Sequence, residues 1–406
     1  MSVRVIYKVK LIYMENNENK LIERISNANV LMNSFLESRK NSSFKKSVQL
    51  YELNFLKNFR KTQIELRNKT YKQGDFYSFF INERGKERYI RAISFYDRVI
   101  QRALCDNLTS IVNPYLIYDN GASVKNKGLD FSRRRIETHL HKYYRKYGNI
   151  GYALLIDFRK FYDNINHEKL FEMYDKIIKD KDTLNLMKHL ISSFKLDISS
   201  YEVSEDEPFD SLEYAKANTL KTKEKFLNRS LGIGSQISQI SGLYFPHEID
   251  NYCKIVKGLK YYGRYMDDIY IISNSKEELK NLLEEIKVIC KNLCIFVHKD
   301  KTQIYRIDKG FTFLKIRYRL TETGYLVRRP VKANIIREKR KLKKFKNFLI
   351  NKEMTLHDIE EQYKSWKGNL TKYNCYKSIK NLDKYYDELF SKKKKKKQVK
   401  KINDDT

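Results

Sequence analysis

The alternation of hydrophobic and polar positions separates strand-forming from helix-forming stretches along this chain. Between Leu259 and Ser273, aromatic and apolar residues lead to Met266, two acids interrupt them at Asp267 and Asp268, and the β-branched run Ile269 to Ile272 follows. That pattern predicts strand, tight turn, strand. Tyr152 to Ile156 is an apolar run of buried-strand type that ends on Asp157, and the spacing of Phe161, Tyr162 and Ile165 predicts a helix start just beyond. Arg88 and Ile90 after Gly85 suggest a hairpin, with an amphipathic helix from about Phe95. Gly232 and Gly234 precede a helix expected to run through Ile249. Farther on, Leu342, Phe345 and Phe348 mark the apolar stripe of a basic helix, Arg337 to Lys346. Residues 1–55 are helix-biased, and the acidic patch from Tyr201 to Tyr214 reads as an exposed loop away from the other acids. No internal repeat is present.

Two adjacent carboxylates at a hairpin tip repel one another. They are poorly placed for stability and well placed to hold divalent cations through oxygen ligands. A lone Asp-Asp is usually an ordinary acidic turn; here Asp157 changes the reading. A carboxylate at one strand's end, facing a double-carboxylate hairpin on a neighbouring strand, supplies three acids for two metal ions. In such a site one ion lowers the pKa of an attacking hydroxyl, and the other neutralises charge on a leaving pyrophosphate.

Composition supports the same chemistry. The chain has 406 residues, 41% hydrophobic, enough for a large core. Its formal net charge is +32 and 13% of its residues are aromatic, 31 of them Tyr. Cations neutralise phosphates and rings stack on bases, so the mixture suits a nucleic-acid partner, although an A·T-rich coding bias also enriches Lys, Asn, Ile and Tyr. Cys105, Cys253, Cys290, Cys294 and Cys375 are scattered and form no CxxC, which argues for reduced thiols rather than a zinc or disulfide framework. Without an apolar run of membrane-spanning length or a leader pattern, the expected location is the cytoplasm.

At Asp157 and at Tyr265-Met266-Asp267-Asp268 the chain resembles the palm of bacterial reverse transcriptases, over roughly residues 64–390. The resemblance implies an α/β (α+β) right-hand polymerase with fingers, a ferredoxin-like palm and a helical thumb. It divides the chain into an N-terminal helical extension (1–55), fingers and palm (56–330), thumb (331–390) and a basic tail (391–406). It implies RNA-templated DNA synthesis with Mg2+, or Mn2+ as alternative, with Asp157, Phe158, Asp267 and Asp268 at the metal site. Lys301 would protonate or neutralise the departing pyrophosphate. Lys86 and Arg88 would grip the incoming triphosphate, Gln239 would line the nucleotide site, and Tyr162 would exclude a 2′-hydroxyl. Gly234 and Ser238 resemble a template-contacting motif found in diversity-generating retroelement enzymes and defence-associated relatives. Phe313, Leu314 and Lys315 resemble the primer-grip hairpin, with Lys315 where the family has glycine. Implied partners are an RNA template (a dedicated non-coding RNA among the candidates), a DNA or RNA primer, dNTPs and an accessory protein, with no membrane. Defence against phage and a retroelement are both programmes consistent with the resemblance. A template-independent polymerase of abortive-infection type and a non-catalytic, maturase-like RNA binder are the alternatives. The run Lys392 to Lys397 is either a phosphate-binding tail or merely a solvated one.

Overall fold

The computed structural model describes residues 21–83 and 85–391; residues 1–20, residue 84 and the tail from Lys392, with its lysine run, lie outside the described residues. The chain forms two compact units that interleave along the sequence. One comprises Met1–Ser132, Ile156–Ile269 and Lys280–Thr302, and the other Arg133–Leu155, Tyr270–Leu279 and Gln303–Thr406.

After a single turn of helix, Leu21–Ile25, the first unit has short helices, Ala28–Arg39, Lys46–Leu53 and Phe55–Arg67, that bury Phe35 and Tyr51 against Phe95 and Val99 of the helix Phe95–Val112. That last helix starts where expected, because Ser94 caps it by accepting from the Asp97 amide at 3.1 Å. Ahead of it, β1 (Tyr77–Glu83) and β2 (Lys86–Ala92) form an antiparallel hairpin in which Glu83 pairs with Lys86. The turn uses Gly85 at φ 81, with its amide donating to the Asn82 side chain. β3 (Tyr152–Asp157) carries buried Ala153, Leu154 and Ile156 and ends on its acid.

Beyond Asp157 the expected helix start is only a 3-10 turn, Tyr162–Asn164; the α-helix opens at His167 and runs to Ile177, capped by Asn166. The acidic excursion is not merely an exposed loop. β4 (Leu196–Asp197) and β5 (Phe226–Leu227) pair, and Phe209 and Tyr214 pack with Leu196, Ile198 and Leu227 in a small core of their own. The helix after Gly234 spans Gln236–Tyr244 and stops short of Ile249, because Pro246 opens a separate helix, His247–Asn251. β6 (Tyr262–Tyr265) and β7 (Asp268–Ser273) flank the two-residue turn at Met266 and Asp267. The central sheet has strand order β6-β7-β3-β8, with β8 spanning Gln303–Arg306.

In the second unit, Tyr152 to Leu155 of β3 pair antiparallel with β8. β9 (Phe311–Phe313), β10 (Ile316–Leu320) and β11 (Leu326–Pro330) form a three-stranded sheet. Phe313 pairs with Ile316, so Leu314 and Lys315 are the whole turn, at φ 45 and φ 66. Two consecutive positive φ values define the turn that suits right-twisted hairpins, and Lys315 adopts the geometry glycine would have supplied. The helix Lys332–Ile350 buries Leu342 and Phe345 against Ile359 and Tyr363 of Leu356–Leu370 and Leu382 of Tyr376–Phe390. Arg337, Arg340, Lys343 and Lys346 are left exposed. All five cysteines are free. Among the described residues no helix is long and apolar enough to cross a membrane.

Candidate active site

The end of β3 and the β6–β7 turn bring Asp157, Asp267 and Asp268 into one electrostatic environment. Burial raises the pKa of Asp267, and the Asp157 charge raises it further. Asp268 is pushed up to about 7, first by burial and then by Asp267 and Asp157. Lys301 donates to both oxygens of Asp157, at 2.9 and 3.1 Å. Its side chain is 51% exposed, so the pair contributes at most about 1 kcal/mol and Lys301 exchanges partners at little cost.

A cleft of about 330 Å3 opens beside these acids. Asp157 and Asp267 line it, together with Lys86 and Arg88 from β2, Tyr162, His298 and Lys301; Asp268 does not. Lys86 and Arg88 are among the cations that offset the acids. The hydroxyl of Tyr162 donates to Met266 Sδ at 3.7 Å. Its ring leaves no room on the neighbouring helix, where a Cβ added at Gly242 would stand 2.8 Å from it. Asp163, Asp210 and Ser211 also line the cleft, so the acidic excursion does reach the other acids, contrary to expectation. Asp163 is pushed up to about 6 by burial, against hydrogen bonds from Ser211. Asp210 caps the helix Ser211–Lys216 and pairs with Lys160.

Beneath the turn lies a fully buried ion pair that the hydrophobic pattern concealed. Arg264 Nη2 stands 2.7 Å from Asp250, and both side chains are inaccessible. Burial opposes the arginine's charge, but Asp250 outweighs it and raises the pKa. Nη1 donates to the Met266 carbonyl at 3.0 Å and Nη2 to the Leu243 carbonyl at 2.9 Å. One guanidinium therefore ties the turn, in which Met266 holds a left-handed φ of 54, to the helix carrying Gly242. The available signal was a charged residue inside an otherwise apolar strand, since arginine is almost never fully buried without a partner.

The donor set suits hard divalent cations. Burial and the neighbouring carboxylates raise both Asp267 and Asp268, and a bound cation would offset that repulsion. As placed, no three His, Cys, Asp or Glu side chains among the described residues stand close enough to enclose an ion. Lys301 occupies both oxygens of Asp157. Phe158 is buried against Phe161, with ring centroids 5.6 Å apart; its side chain has no donor atom, and its main-chain carbonyl is the oxygen it could offer.

Three further expectations are corrected. Ser238 is 1% exposed and bonded to the Ser235 hydroxyl at 3.0 Å, so its side chain does not face a template, whereas Gly234 is exposed. Gln239 does not line the cleft; it lines another pocket with Arg98, Gln101 and Arg102. Phe313 is buried on Tyr270, centroids 4.9 Å apart, and supports its hairpin from below, leaving only Leu314 and Lys315 at the surface.

Acids at the end of a central strand and at an adjacent hairpin, with cations around one cleft, are an arrangement suited to nucleotidyl transfer. The reverse transcriptase (RNA-dependent DNA polymerase) family matches residues 70–318, more than half of the chain, and the chain belongs to that family. It is accordingly an enzyme, with the mixed helix-and-sheet polymerase fold. Among solved structures it is similar to telomerase from Candida albicans in complex with a fragment of telomeric RNA, at 14% identity and a TM-score of 0.43. That match covers 79% of this chain and 60% of the other, so this chain spans less than two thirds of that protein's length. No curated protein matches the chain.

Proposed function

We propose that the protein extends a primer with dNTPs on an RNA template, with Asp157, Asp267 and Asp268 holding two divalent cations, Mg2+ foremost. The observation that carries this reading is the convergence of Asp157 and Asp267 with Lys86, Arg88, Tyr162 and Lys301 on one cleft. Bound there, the cations would supply an activated hydroxyl and charge neutralisation on the leaving group. Lys86 and Arg88 offer charge-assisted hydrogen bonds to a triphosphate. Lys301, released from Asp157, faces the departing pyrophosphate. Tyr162, held between Met266 and Gly242, sets the floor under the sugar.

The domain boundaries given above, fingers and palm over 56–330 and thumb over 331–390, belong to this proposal. So do a cytoplasmic location, an RNA partner dedicated to the enzyme, and a place in the bacterial branch that includes retroelement and defence enzymes. The test is primer extension on RNA. Asp157→Asn and Asp267→Asn should each lower incorporation by at least about 100-fold while thermal melting stays close to wild type. Wild-type rates in the double variant would sink the assignment. Extension without any template would instead favour the template-independent alternative.

A further inference from the structure

Behind the end of β3 lies a cavity of about 1040 Å3, roughly three times the volume of the cleft. The β4–β5 excursion forms one wall. The other is the carboxyl-terminal half of the helix Lys276–Asn292 and the loop that follows it. Its lining mixes ring faces with cations. Phe226 is 46% exposed and Phe296 is half-buried, so both rings are within reach of a ligand. Lys225, Arg229, Lys287, Lys291 and Lys299 line it, against Glu205 and Asp206. Arg229 is anchored to the Ser204 carbonyl at 2.9 Å, while its Nε is buried without a partner among the described residues. Lys287 is paired with Glu284 at 2.8 Å; no ion pair within the described residues engages Lys225, Lys291 or Lys299.

The segment from Val297 to Thr302 is shared with the active site. Val297, Lys299 and Thr302 line the cavity, whereas His298 and Lys301 line the cleft. This segment also holds the end of β3. The Arg159 amide donates to the Phe296 carbonyl at 2.7 Å, and the His298 amide to the Asp157 carbonyl at 2.8 Å. The Asp157 amide donates to Thr302 Oγ1 at 3.4 Å.

We propose that this cavity is a second nucleic-acid site, which takes a single-stranded stretch of RNA outside the template–primer cleft and whose occupancy reaches Asp157 through the shared segment. Aromatic faces beside a ring of cations are how proteins hold unpaired strands: bases stack and phosphates are neutralised. A recess of this size admits splayed bases but not the cylinder of a duplex. Glu205 and Asp206 would repel phosphate, yet they are acceptors for the 2′-hydroxyl donor that only RNA carries. The inference rests on the reading of this chain as one that handles RNA, and its test measures binding apart from synthesis.

The full chain is first saturated with an RNA–DNA template–primer hybrid to fill the cleft. Fluorescein-labelled single-stranded RNA is then titrated in, with single-stranded DNA of the same sequence and a mononucleotide as separate arms. A second RNA should bind, with DNA weaker and the mononucleotide far weaker. The variant Phe226→Ala/Arg229→Gln/Lys291→Gln should lose on the order of tenfold or more in that affinity. Losing two cations should also flatten its salt slope by roughly one to two. Affinity for the hybrid and extension of a short primer should stay within about twofold, which shows that the variant is folded. Phe226→Ala alone guards against a combined folding defect and should lose affinity with an unchanged salt slope. Added RNA should shift the half-saturating dNTP concentration in the wild type but not in the variant. Competition of the RNA by the hybrid for a single site, or equal RNA affinity of wild type and variant, would overturn the second site. A wild-type dNTP dependence indifferent to the added RNA would overturn the coupling. Tight binding of the mononucleotide alone would assign the cavity to a free nucleotide instead.

Discussion

Tyr162 is seated against Gly242, whose missing Cβ is the space the ring requires. Replacing Tyr162 by Ala empties that volume, so ribonucleotide use should rise by on the order of 10–200-fold relative to dNTP use, the range a single steric contact commands. Unchanged selectivity in single-nucleotide incorporation would remove Tyr162 as a gate. His167 is buried, with Nε2 donating to the Ser230 carbonyl at 2.8 Å and Nδ1 unpartnered. Burial lowers its pKa to about 4, so the folded state favours the neutral ring. Its contribution is complete above the unfolded value near 6.5 and is lost as pH falls towards 4, amounting to about 3 kcal/mol at most. Urea midpoints should therefore fall more steeply with acid in the wild type than in His167→Gln; parallel curves would contradict this.

At the scale of elements, the catalytic turn depends on a strand and a helix that are distant in sequence. Arg264 of β6 binds Asp250, the Leu243 carbonyl and the Met266 carbonyl at once. Arg264→Met leaves a buried Asp250 without its cation, although the Tyr262 hydroxyl still donates to it at 2.6 Å, and should cost about 3–5 kcal/mol. Adding Asp250→Leu should recover most of that stability, since apolar residues of similar volume replace buried pairs well. Incorporation should remain low in the double variant, because nothing then holds the Met266 carbonyl and the left-handed turn beside Asp267. Full recovery of both stability and rate would make the ion pair mere packing.

Over the whole molecule, the net charge of +32 sets how nucleic acid is held. If binding neutralises six to ten phosphates, affinity for a hybrid should fall by about 10³–10⁵ between roughly 50 and 200 mM salt. The exposed cations of Lys332–Ile350 are fixed on a helix with a buried face, whereas the lysine run beyond Ser391 has no apolar residues with which to bury itself. Removing residues 391–406 should reduce the salt slope by a few units and leave the saturated rate intact. An identical slope with and without the tail would mean that the tail does not touch the nucleic acid.

Much of this protein was legible one residue at a time. The acids interrupting β-branched runs, the hairpin at Gly85, the helix from Phe95 and the stripe Leu342, Phe345 and Phe348 are local signals, because strand and helix periodicity are properties of neighbouring residues. What the sequence could not decide depended on partners far along the chain. Ser238 and Phe313 sit within recognisable motifs, yet Ser235 and Tyr270 claim their side chains. The acidic excursion looked remote until the fold brought Asp210 to the cleft of Asp157. Arg264 was one charge in an apolar strand until Asp250 and two carbonyls met it. Pattern along the chain determines which elements form; burial, and the obligation of each buried polar group to find a partner, is decided only when those elements pack.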